Sequence, residues 1–399
     1  MNNSINDTAK TDILLENILK QHPALFNEIL AKKDTWNVQI IYTQVNRDAS
    51  NNVSLSDYYF NVNDTKYFYP ASTVKLPVAL LALQRLNELK IDKNTTMITE
   101  AAHSSQAAVY NDPTQAFGKP GIAHYIKKIL MVSDNDAYNR LYEFLGQDYI
   151  NNELHKKGYR DAQILHRLDI VLTEEENRYT NPVKFINDNG QVVYDQPLQK
   201  SKNTYPGRKD FLGKGYYSGG KLIDQPMDFS KKNRLSLESL HRIVKGLVFP
   251  AKVPAGQRFN ITDNDRQFVL KYMSQFPAES LYPAYDSTNY WDAYCKFLLY
   301  GSEKKKLSES VRIFNKVGDA YGHLIDAAYI VDFDKKIEFF LSAVIYCNSD
   351  GILNDDQYDY ETIGLPFMKN LGKVIYDYEV KRERKVKPDL SGMKFVYDK

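Results

Sequence analysis

The chain has 399 residues, 43% of them hydrophobic and 26% charged, which is ordinary for a globular protein that buries a core. Its 52 basic and 50 acidic side chains give a formal net charge of +2, so charge gives no reason to expect nucleic acid or an anionic membrane as a partner. The two cysteines, Cys295 and Cys347, are too few for a disulfide scaffold or a four-cysteine metal site, although they could pair with each other.

The sequence carries no membrane-spanning or targeting pattern. No apolar run reaches the about 18–20 residues that a membrane-spanning helix needs. Residues 1–10 are polar and lack the apolar stretch of a signal peptide. These features fit a cytosolic protein as well as an exported protein whose leader is not part of this sequence.

The N-terminal part predicts helices followed by strands. Apolar residues at helical spacing predict helix over 11–33, interrupted at Pro23. Segments 36–45 and 53–62 are rich in strand-forming residues. The dense apolar run that starts at Ser72 predicts a buried helix, so Ser72 is expected at a strand-to-helix junction, where the free backbone N–H groups of a first helical turn are available.

The middle of the chain predicts helices on both sides of an unusual segment. Residues 121–145 are helical in pattern except for a polar interruption at 133–136. Residues 178–232 contain a hairpin pattern around Asn189 and a glycine-rich loop, and we interpret them as an insertion. Helices are predicted again over 237–248 (with Ser236 as its N-cap), 263–276 and 289–300.

The C-terminal part predicts strands at 311–320, 326–333 and 336–347 and a last helix at about 358–380. Because strands occur near both ends of the chain with helices between them, one sheet is expected to be closed by distant parts of the sequence.

The segment FYPASTVKLPV, residues 68–78, places Ser72 and Lys75 three positions apart in an apolar and aromatic run. Burying a lysine ammonium is costly unless the site has a use for it. The same S-x-x-K pattern also begins at Ser218, Ser302 and Ser391, so the pattern alone decides nothing.

Two further motifs follow Ser72 and Lys75 along the chain. Ser133-Asp134-Asn135 begins 61 residues after Ser72 at the helix interruption, and Lys316-Val317-Gly318 lies in a predicted C-terminal strand. This ordered set resembles the serine β-lactamase and penicillin-binding protein superfamily, and the first spacing is similar to that of class A β-lactamases. Accident would seldom produce all three motifs in this order and context.

Two more segments extend the resemblance. Residues 166–173, HRLDIVLT, are similar to the start of the family's omega loop, and 317–322, VGDAYG, resemble its strand segment after the lysine. The resemblance implies an α/β (α+β) fold of β-lactamase/transpeptidase type, with a five-stranded antiparallel sheet flanked by helices and an all-helical subdomain. It assigns 12–70 and 310–399 to the sheet subdomain and 71–309, with the 178–232 insertion, to the helical one.

The residue types suit acyl transfer to a serine. A serine hydroxyl is a weak nucleophile until a base takes its proton, and Lys75 lies one helical turn from Ser72. A lysine titrates near ~10.4, so acting as a base near neutrality needs a pKa about 3 units lower, which burial and a second cation such as Lys316 would favour.

The family resemblance implies roles for the remaining motif residues. Ser133 would relay the proton to the leaving group, Asn135 would hold the substrate amide, and Lys316 would supply positive potential. Val317, Gly318 and Asp319 would form the substrate-binding strand edge. The backbone N–H groups of Ser72 and Asp319 would bind the oxyanion.

The omega-loop carboxylate departs from the family pattern because it is Asp169 instead of glutamate. Aspartate is one methylene shorter, so a deacylating water that it holds is shifted by about 1.5 Å. A displacement near 1 Å can cost ~10²-fold in rate, so slow deacylation is expected. Alternatively, Asp169 stabilises the loop by pairing with Arg167.

Two departures concern the substrate. Val317 lacks the hydroxyl that helps to bind a β-lactam carboxylate, and Asp319 adds a carboxylate beside that place, which disfavours an anionic substrate. Alternatively, Asp319 turns outward to bind a basic side chain. Together these residues suggest a substrate unlike common penicillins.

The sequence thus predicts a serine hydrolase of β-lactamase type, acylated at Ser72 by a β-lactam or a related amide or ester. The alternatives are a D,D-peptidase or esterase of the same superfamily, and an acylated sensor or cell-wall-binding module without turnover. We expect a small-molecule or peptidoglycan-like substrate, a monomer, no cofactor or metal, and a periplasmic, secreted or cell-surface location.

Thirty tyrosines allow a carbohydrate-stacking surface, but we favour biased composition as their cause. Four histidines are interpreted as structural, with the last able to line the pocket: His103, His166, His241 and His323.

Overall fold

A computed structural model describes residues 9–398, so most of the polar start of the chain lies outside the described residues. The helices are α1 Ile13–Lys20, α2 Pro23–Ala31, α3 Lys75–Leu89, α4 Ile122–Val132, α5 Asn135–Leu145, α6 Gln147–Lys156, α7 Glu174–Asn177, α8 Leu237–Val248, α9 Asp263–Ser274 and α10 Leu365–Lys381. The strands are β1 Gln39–Arg47, β2 Val53–Phe60, β3 Thr96–Thr99, β4 Tyr179–Thr180, β5 Val183–Ile186, β6 Val192–Gln196, β7 Gln199–Lys200, β8 Phe211–Leu212, β9 Gly215–Ser218, β10 Lys221–Ile223, β11 Met227–Asp228, β12 Val311–Ala320, β13 His323–Asp332, β14 Ile337–Tyr346 and β15 Ile352–Leu353.

The central sheet has five antiparallel strands in the order β12-β13-β14-β1-β2. The N-terminal strand β1 pairs with the C-terminal strand β14, with Ile41 opposite Ser342. The sheet is therefore closed by distant parts of the chain, as the sequence predicts. Strand β12 lies at one edge, so its outer side is free to face other elements.

Both faces of the sheet are covered. Apolar side chains of α1, α2 and α10 form a core with one face of the strands. Those of α3, α4, α5, α8 and α9 form a second core that reaches the other face. Side chains alternate along β12. Val317 therefore belongs to the first core, whereas Phe314 belongs to the second core and Lys316 lies on the same face as Phe314.

The approach to Ser72 differs from the expected strand-to-helix junction. Strand β2 ends at Phe60, and the chain continues through largely irregular residues to a 3-10 turn, Ala71–Val74. Helix α3 follows at once and is buried along most of its length, as its dense apolar sequence predicts. Ser72 thus lies in a turn that leads into a buried helix.

The helix predicted over 289–300 is wrong, because this segment forms turns. Tertiary hydrogen bonds replace the helical ones. The buried amine of Lys296 donates to the carbonyl oxygens of Met273 and Ile313, at 2.7 and 3.0 Å. The backbone N–H of Leu298 donates to the Asp326 carboxylate at 3.0 Å. Sequence periodicity cannot reveal such distant partners.

The ends of three C-terminal elements also differ from expectation. Strand β13 begins at His323, three positions before the predicted start. The last helix is preceded by a π-helical turn, Tyr360–Gly364, so that α10 begins at Leu365 instead of near residue 358. The predicted strand over 336–347 is confirmed, shortened by one residue at each end.

The 178–232 segment forms two hairpins. Strands β5 and β6 form the predicted hairpin, and β5 extends a small sheet with β3. Strands β9 and β10 form the second hairpin, whose β9 runs parallel to β15. The insertion therefore pairs with β15, a short strand near the C-terminus. The predicted boundaries of the sheet and helical subdomains stay a prediction.

Two global features complete the description. Across residues 9–398, none of the helices combines the length and apolar character that crossing a membrane requires. Cys295 and Cys347 are both buried and free, so they do not form the disulfide bond that the sequence left open.

Candidate active site

Ser72 is placed by a close contact between a turn and the edge of the sheet. Ala71, directly before it, has a positive φ of 46° and turns the chain into the 3-10 turn. A Cβ atom on Gly318 of β12 would lie 3.0 Å from Ser72 N and 2.9 Å from Pro70 O. Only glycine permits this approach without a shift, so Gly318 lets the strand edge abut the serine.

Lys75 is fully buried behind Ser72, and its amine contacts oxygen atoms of three residues. Its Nζ lies 2.8 Å from Ser72 Oγ and 2.6 Å from Asn135 Oδ1, and it also contacts Ser133 O. When this amine is neutral, its two N–H groups can donate to the two carbonyl oxygens. Its lone pair is then left for the hydroxyl proton of Ser72, as a general base requires.

The pKa values of both lysines are lowered, and for Lys75 this is the direction that the sequence predicts. Burial lowers the pKa of Lys75 well below its usual value, and the nearby Lys316 lowers it further. Burial also lowers the pKa of Lys316 to about 8. Both effects favour the neutral form of Lys75, which is the form that can accept a proton.

The Ser133-Asp134-Asn135 motif joins two helices. Ser133 has a φ of 61° and ends α4 in the left-handed conformation. Asp134 then caps α5, because its side chain accepts a hydrogen bond from Ala137 N at 2.7 Å. This junction places Ser133 Oγ 2.8 Å from Lys316 Nζ and 3.3 Å from Lys75 Nζ. The Ser133 hydroxyl thus bridges the two amines.

The free edge of β12 faces the same place. Lys316 Nζ also donates to the carbonyl oxygen of Val317 at 2.8 Å, so the main-chain groups of Val317 point away from β13. In an antiparallel strand these directions alternate, so the N–H of Asp319 shares that free edge. Since Gly318 abuts Ser72 N, the two predicted oxyanion donors lie on adjoining segments.

Asp169 lies at the rim of the cleft and is exposed, with a φ of 56°. Its Oδ2 is 3.4 Å from Asn135 Nδ2, a long contact that orients the amide so that Asn135 Oδ1 faces Lys75. Arg167 instead pairs with Glu143 at 2.9 Å, so the alternative Arg167–Asp169 pair is wrong. The role of Asp169 in holding a water stays a prediction.

Residues not predicted from the motifs hold the omega loop in place. Asn139 of α5 clamps Leu168 by both amide atoms, accepting from its N–H and donating to its carbonyl, each at 2.9 Å. The side-chain oxygen of Asn177 accepts from Arg167 N at 3.0 Å and closes the other end. Nothing in the motif spacing marks these amides.

Two cavities meet at Ser72. The first cavity has a volume of about 540 Å³ and is lined by Tyr69, Ala71, Ser72, Asn135, Leu168, Asp169, Asp319, Ala320, Tyr321, Asn354, Asp356, Tyr358 and Tyr360. The second cavity has a volume of about 370 Å³ and is lined by Ser72, Val132, Ser133, Asn135, Trp291, Tyr294, Cys295, Phe297, Ser302, Val317, Asp319, Leu324, Tyr360, Glu361 and Leu365. The predicted site residues are thus brought together, with Lys75 and Lys316 buried behind the lining and Gly318 against the serine turn.

The two substrate-side departures are both at the cavities. Val317 is 2% exposed and contributes an apolar contact to the second cavity. Asp319 is open to both cavities, and no salt bridge to it occurs within residues 9–398, so the alternative in which it turns away to a basic side chain is wrong. Desolvation in the cleft raises the pKa of Asp319, which Lys316 and Lys75 offset only in part.

The histidines take no part in the cleft. His323 is buried and its ring centroid lies 4.7 Å from that of Tyr346, so the expectation that it could line the pocket is wrong. The other three make structural contacts: His103 stacks on Tyr179, His166 stacks on Tyr69, and His241 contacts Thr43 and Ser342. Within the described part of the chain, no three His, Cys, Asp or Glu side chains form a group that could hold a metal.

Sequence reasoning missed the aromatic and acidic walls of the cleft. Tyr321, Tyr358 and Tyr360 line the first cavity, together with Asp356. Glu361 lines the second cavity with three aromatic side chains from the turn segment: Trp291, Tyr294 and Phe297. The high tyrosine count was the available signal, but composition alone does not place any tyrosine at the cleft.

Comparison with known proteins agrees with this geometry. Residues 24–205 match the sequence model described as the Beta-lactamase enzyme family, a span that includes Ser72, Lys75, Ser133 and Asp169 but ends before Lys316. No curated protein sequence matches the chain.

Solved structures extend the match to most of the chain. A β-lactamase from Chitinophaga pinensis is similar with a TM-score of 0.52 and 12% identity, covering 91% of this chain and 99% of that one. β-Lactamases from Sphaerobacter thermophilus and Xanthomonas campestris have TM-scores of 0.48 with 12% and 11% identity, covering 89% and 92% of this chain and 96% and 98% of theirs. The chain has a β-lactamase-like serine hydrolase fold, as the motifs predict. At these identities the likeness establishes the fold and leaves the substrate open.

Proposed function

We propose that the protein is a serine hydrolase that forms an acyl-enzyme on Ser72 with an amide or ester substrate and then releases the acyl group to water. The observation that carries the proposal is the continuous set of contacts from Ser72 Oγ through Lys75 Nζ and Ser133 Oγ to Lys316 Nζ, with distances of 2.8, 3.3 and 2.8 Å. These side chains come from the 3-10 turn at Ala71–Val74, the start of α3, the α4–α5 junction and β12.

Acylation uses this set of contacts as a proton path. Neutral Lys75 takes the proton of Ser72 as Oγ attacks the substrate carbonyl, and the backbone N–H groups of Ser72 and Asp319 stabilise the oxyanion. The proton then passes through the hydroxyl of Ser133 to the leaving group. Charged Lys316 holds Ser133 Oγ and contributes positive potential.

Deacylation needs a water and a base on the acyl-enzyme. Asp169 is the proposed base, since it lines the first cavity with Ser72 and contacts Asn135. The shorter side chain of aspartate places that water less favourably than glutamate would, so release of the acyl group is the slow step.

The lining of the cleft favours an amide or ester other than a penicillin. Val317 offers no hydroxyl to a substrate carboxylate, and Asp319 opposes one. A peptidase or esterase activity of this superfamily is therefore the second candidate. A non-turnover sensor or cell-wall-binding module is the third, and slow release at Asp169 is the feature that favours it.

Intact-mass measurement during reaction with a chromogenic cephalosporin and with a p-nitrophenyl alkylphosphonate ester tests the proposal. We expect covalent mass on Ser72 with at least one reagent. Rapid colour from the cephalosporin indicates a lactamase, whereas a persistent cephalosporin adduct indicates a stalled binder.

Ser72→Ala should abolish every adduct, because it removes the attacking oxygen. Ser391→Ala is the matched control, since Ser391 begins another S-x-x-K pattern and is exposed far along the chain. An adduct that survives in Ser72→Ala, or no adduct on the unaltered protein with either reagent, contradicts the proposal. We also propose a periplasmic, secreted or cell-surface location, which cell fractionation tests.

A further inference from the structure

The charge of the cleft is strongly one-sided. Among the described residues, four carboxylates line the two cavities: Asp169, Asp319, Asp356 and Glu361. No described Lys, Arg or His side chain lines either cavity. Across residues 9–398, none of these four carboxylates is part of a salt bridge that would neutralise it. Lys75 and Lys316 lie behind the lining and are occupied by Ser72 and Ser133.

The two cavities have different parts in the reaction. Ser133 lines the second cavity and not the first. In the function proposed above, Ser133 passes a proton to the leaving group, so the leaving group lies in the second cavity. The acyl part of the substrate then lies in the first cavity, which is the larger of the two, at about 540 against 370 Å³.

The first cavity combines the carboxylates with aromatic rings. Asp319 and Asp356 line it together with Tyr321, Tyr358 and Tyr360. The hydroxyl groups of Tyr358 and Tyr360 accept backbone N–H groups at 2.9 Å, which fixes these two side chains. Aromatic faces attract cations, and carboxylates attract them more strongly. Neither group favours an anion, and the carboxylates repel it.

We propose that the acyl group of the substrate carries a positively charged ammonium, which the first cavity holds between Asp319 and Asp356 and against its tyrosine wall. The inference rests on the proposed function and names its substrate class: aminoacyl-type amides or esters, instead of the carboxylate-bearing acyl donors. A cation beside Asp319 also stabilises the charged form of that carboxylate, which desolvation disfavours.

Three p-nitrophenyl alkylphosphonate esters that differ only at the end of the alkyl chain test this inference. The chain ends in an ammonium, a methyl or a carboxylate group. In each case the Ser72 Oγ–P bond forms, the P–O bond to p-nitrophenolate breaks, and the Ser72 proton goes to Lys75. Colour gives the rate and intact mass locates the adduct, so turnover is not required.

We expect the ammonium reagent to modify Ser72 about tenfold faster than the methyl reagent, and the carboxylate reagent to be the slowest. Asp356→Asn should lower the ammonium-to-methyl ratio. Asp356 has a φ of 61°, which asparagine tolerates, so this substitution removes the charge with little strain. Asp188→Asn, on the exposed turn after β5, is the matched control and should leave the ratio unchanged.

The outcomes separate the two proposals. If none of the reagents modifies Ser72, the proposed function fails and this inference fails with it. If Ser72 reacts but the methyl or carboxylate reagent is fastest, the function stands and the cationic substrate class is overturned. A ratio that Asp356→Asn leaves unchanged, with Asp319→Asn also without effect, overturns the proposed ammonium site.

Discussion

The floor and the walls of the cleft are built in different ways. The floor consists of Ser72, Lys75, Ser133 and Lys316, which are largely buried and joined by hydrogen bonds. The walls come from the turns near Trp291 and from residues 351–361, and their acidic side chains lack ionic partners among the described residues. The floor is suited to one kind of chemistry, whereas the walls enclose the space that a substrate would occupy.

The wall also depends on a part of the chain outside the family match. Strand β9 of the insertion runs beside β15, and Asn354 Nδ2 donates to Tyr217 O at 3.1 Å. Lys214 N donates to Gly351 O at 2.7 Å. The insertion therefore braces the segment that carries Asp356.

The largest effect is expected from the floor. Lys75→Met keeps an unbranched side chain as far as the ε position but removes the amine that is the proposed base, so acylation of Ser72 by every reagent should fall about 10²–10⁴-fold. The measurement is the rate of p-nitrophenolate release, with circular dichroism to confirm folding. Lys394→Met, at the lysine of another S-x-x-K pattern, is the control. An unchanged rate in Lys75→Met would remove this lysine from the mechanism.

A smaller loss is expected where the floor meets the strand edge. In Gly318→Ala the new Cβ meets Pro70 O at 2.9 Å and Ser72 N at 3.0 Å, so the serine turn must shift. A shift near 1 Å lowers acylation about 10²-fold. Gly256→Ala is the control because its Cβ would have no heavy atom within 4 Å. Equal acylation rates in the two variants would show that the close approach is not needed.

The smallest effect is expected at the rim, where floor and wall meet. Asp169→Glu adds one methylene and brings the carboxylate nearer to the position that favours deacylation. We expect loss of the acyl adduct to speed up about tenfold while acylation changes little. Time-resolved intact mass separates the two steps. An unchanged deacylation rate would favour a role for Asp169 in orienting Asn135 alone.

The same contrast explains what the sequence could predict. Ser72 and Lys75 are one turn apart, Ser133 ends a helix that Asp134 follows with a cap, and Lys316 alternates with core residues along a strand. Each of these placements follows from local geometry, whereas the five-stranded sheet, in which β1 pairs with β14, was expected from the family resemblance. The aromatic and acidic walls bring together residues near 69, 291, 321 and 358, which no local pattern joins.

The failures of prediction have the same origin. The segment around Lys296 has helical composition, but its amine and its backbone N–H groups find partners on β12, β13 and α9. His323 follows the lysine motif closely in sequence, yet it is buried against Tyr346. Arg167 lies two positions from Asp169 and pairs with Glu143 instead. In each case a tertiary partner outweighs the local pattern.

The most direct test of the account is the pH dependence of Ser72 acylation by the methyl-ended phosphonate. Lys75 must be neutral to accept the proton, so acylation is absent below its pKa and rises as the pH passes through it. Burial lowers that pKa well below the usual value, so the rate should rise at a pH well below ~10.4 and should fall above about 8 as Lys316 loses its charge. A rate that rises only near ~10.4, the value of an ordinary lysine, would contradict the account.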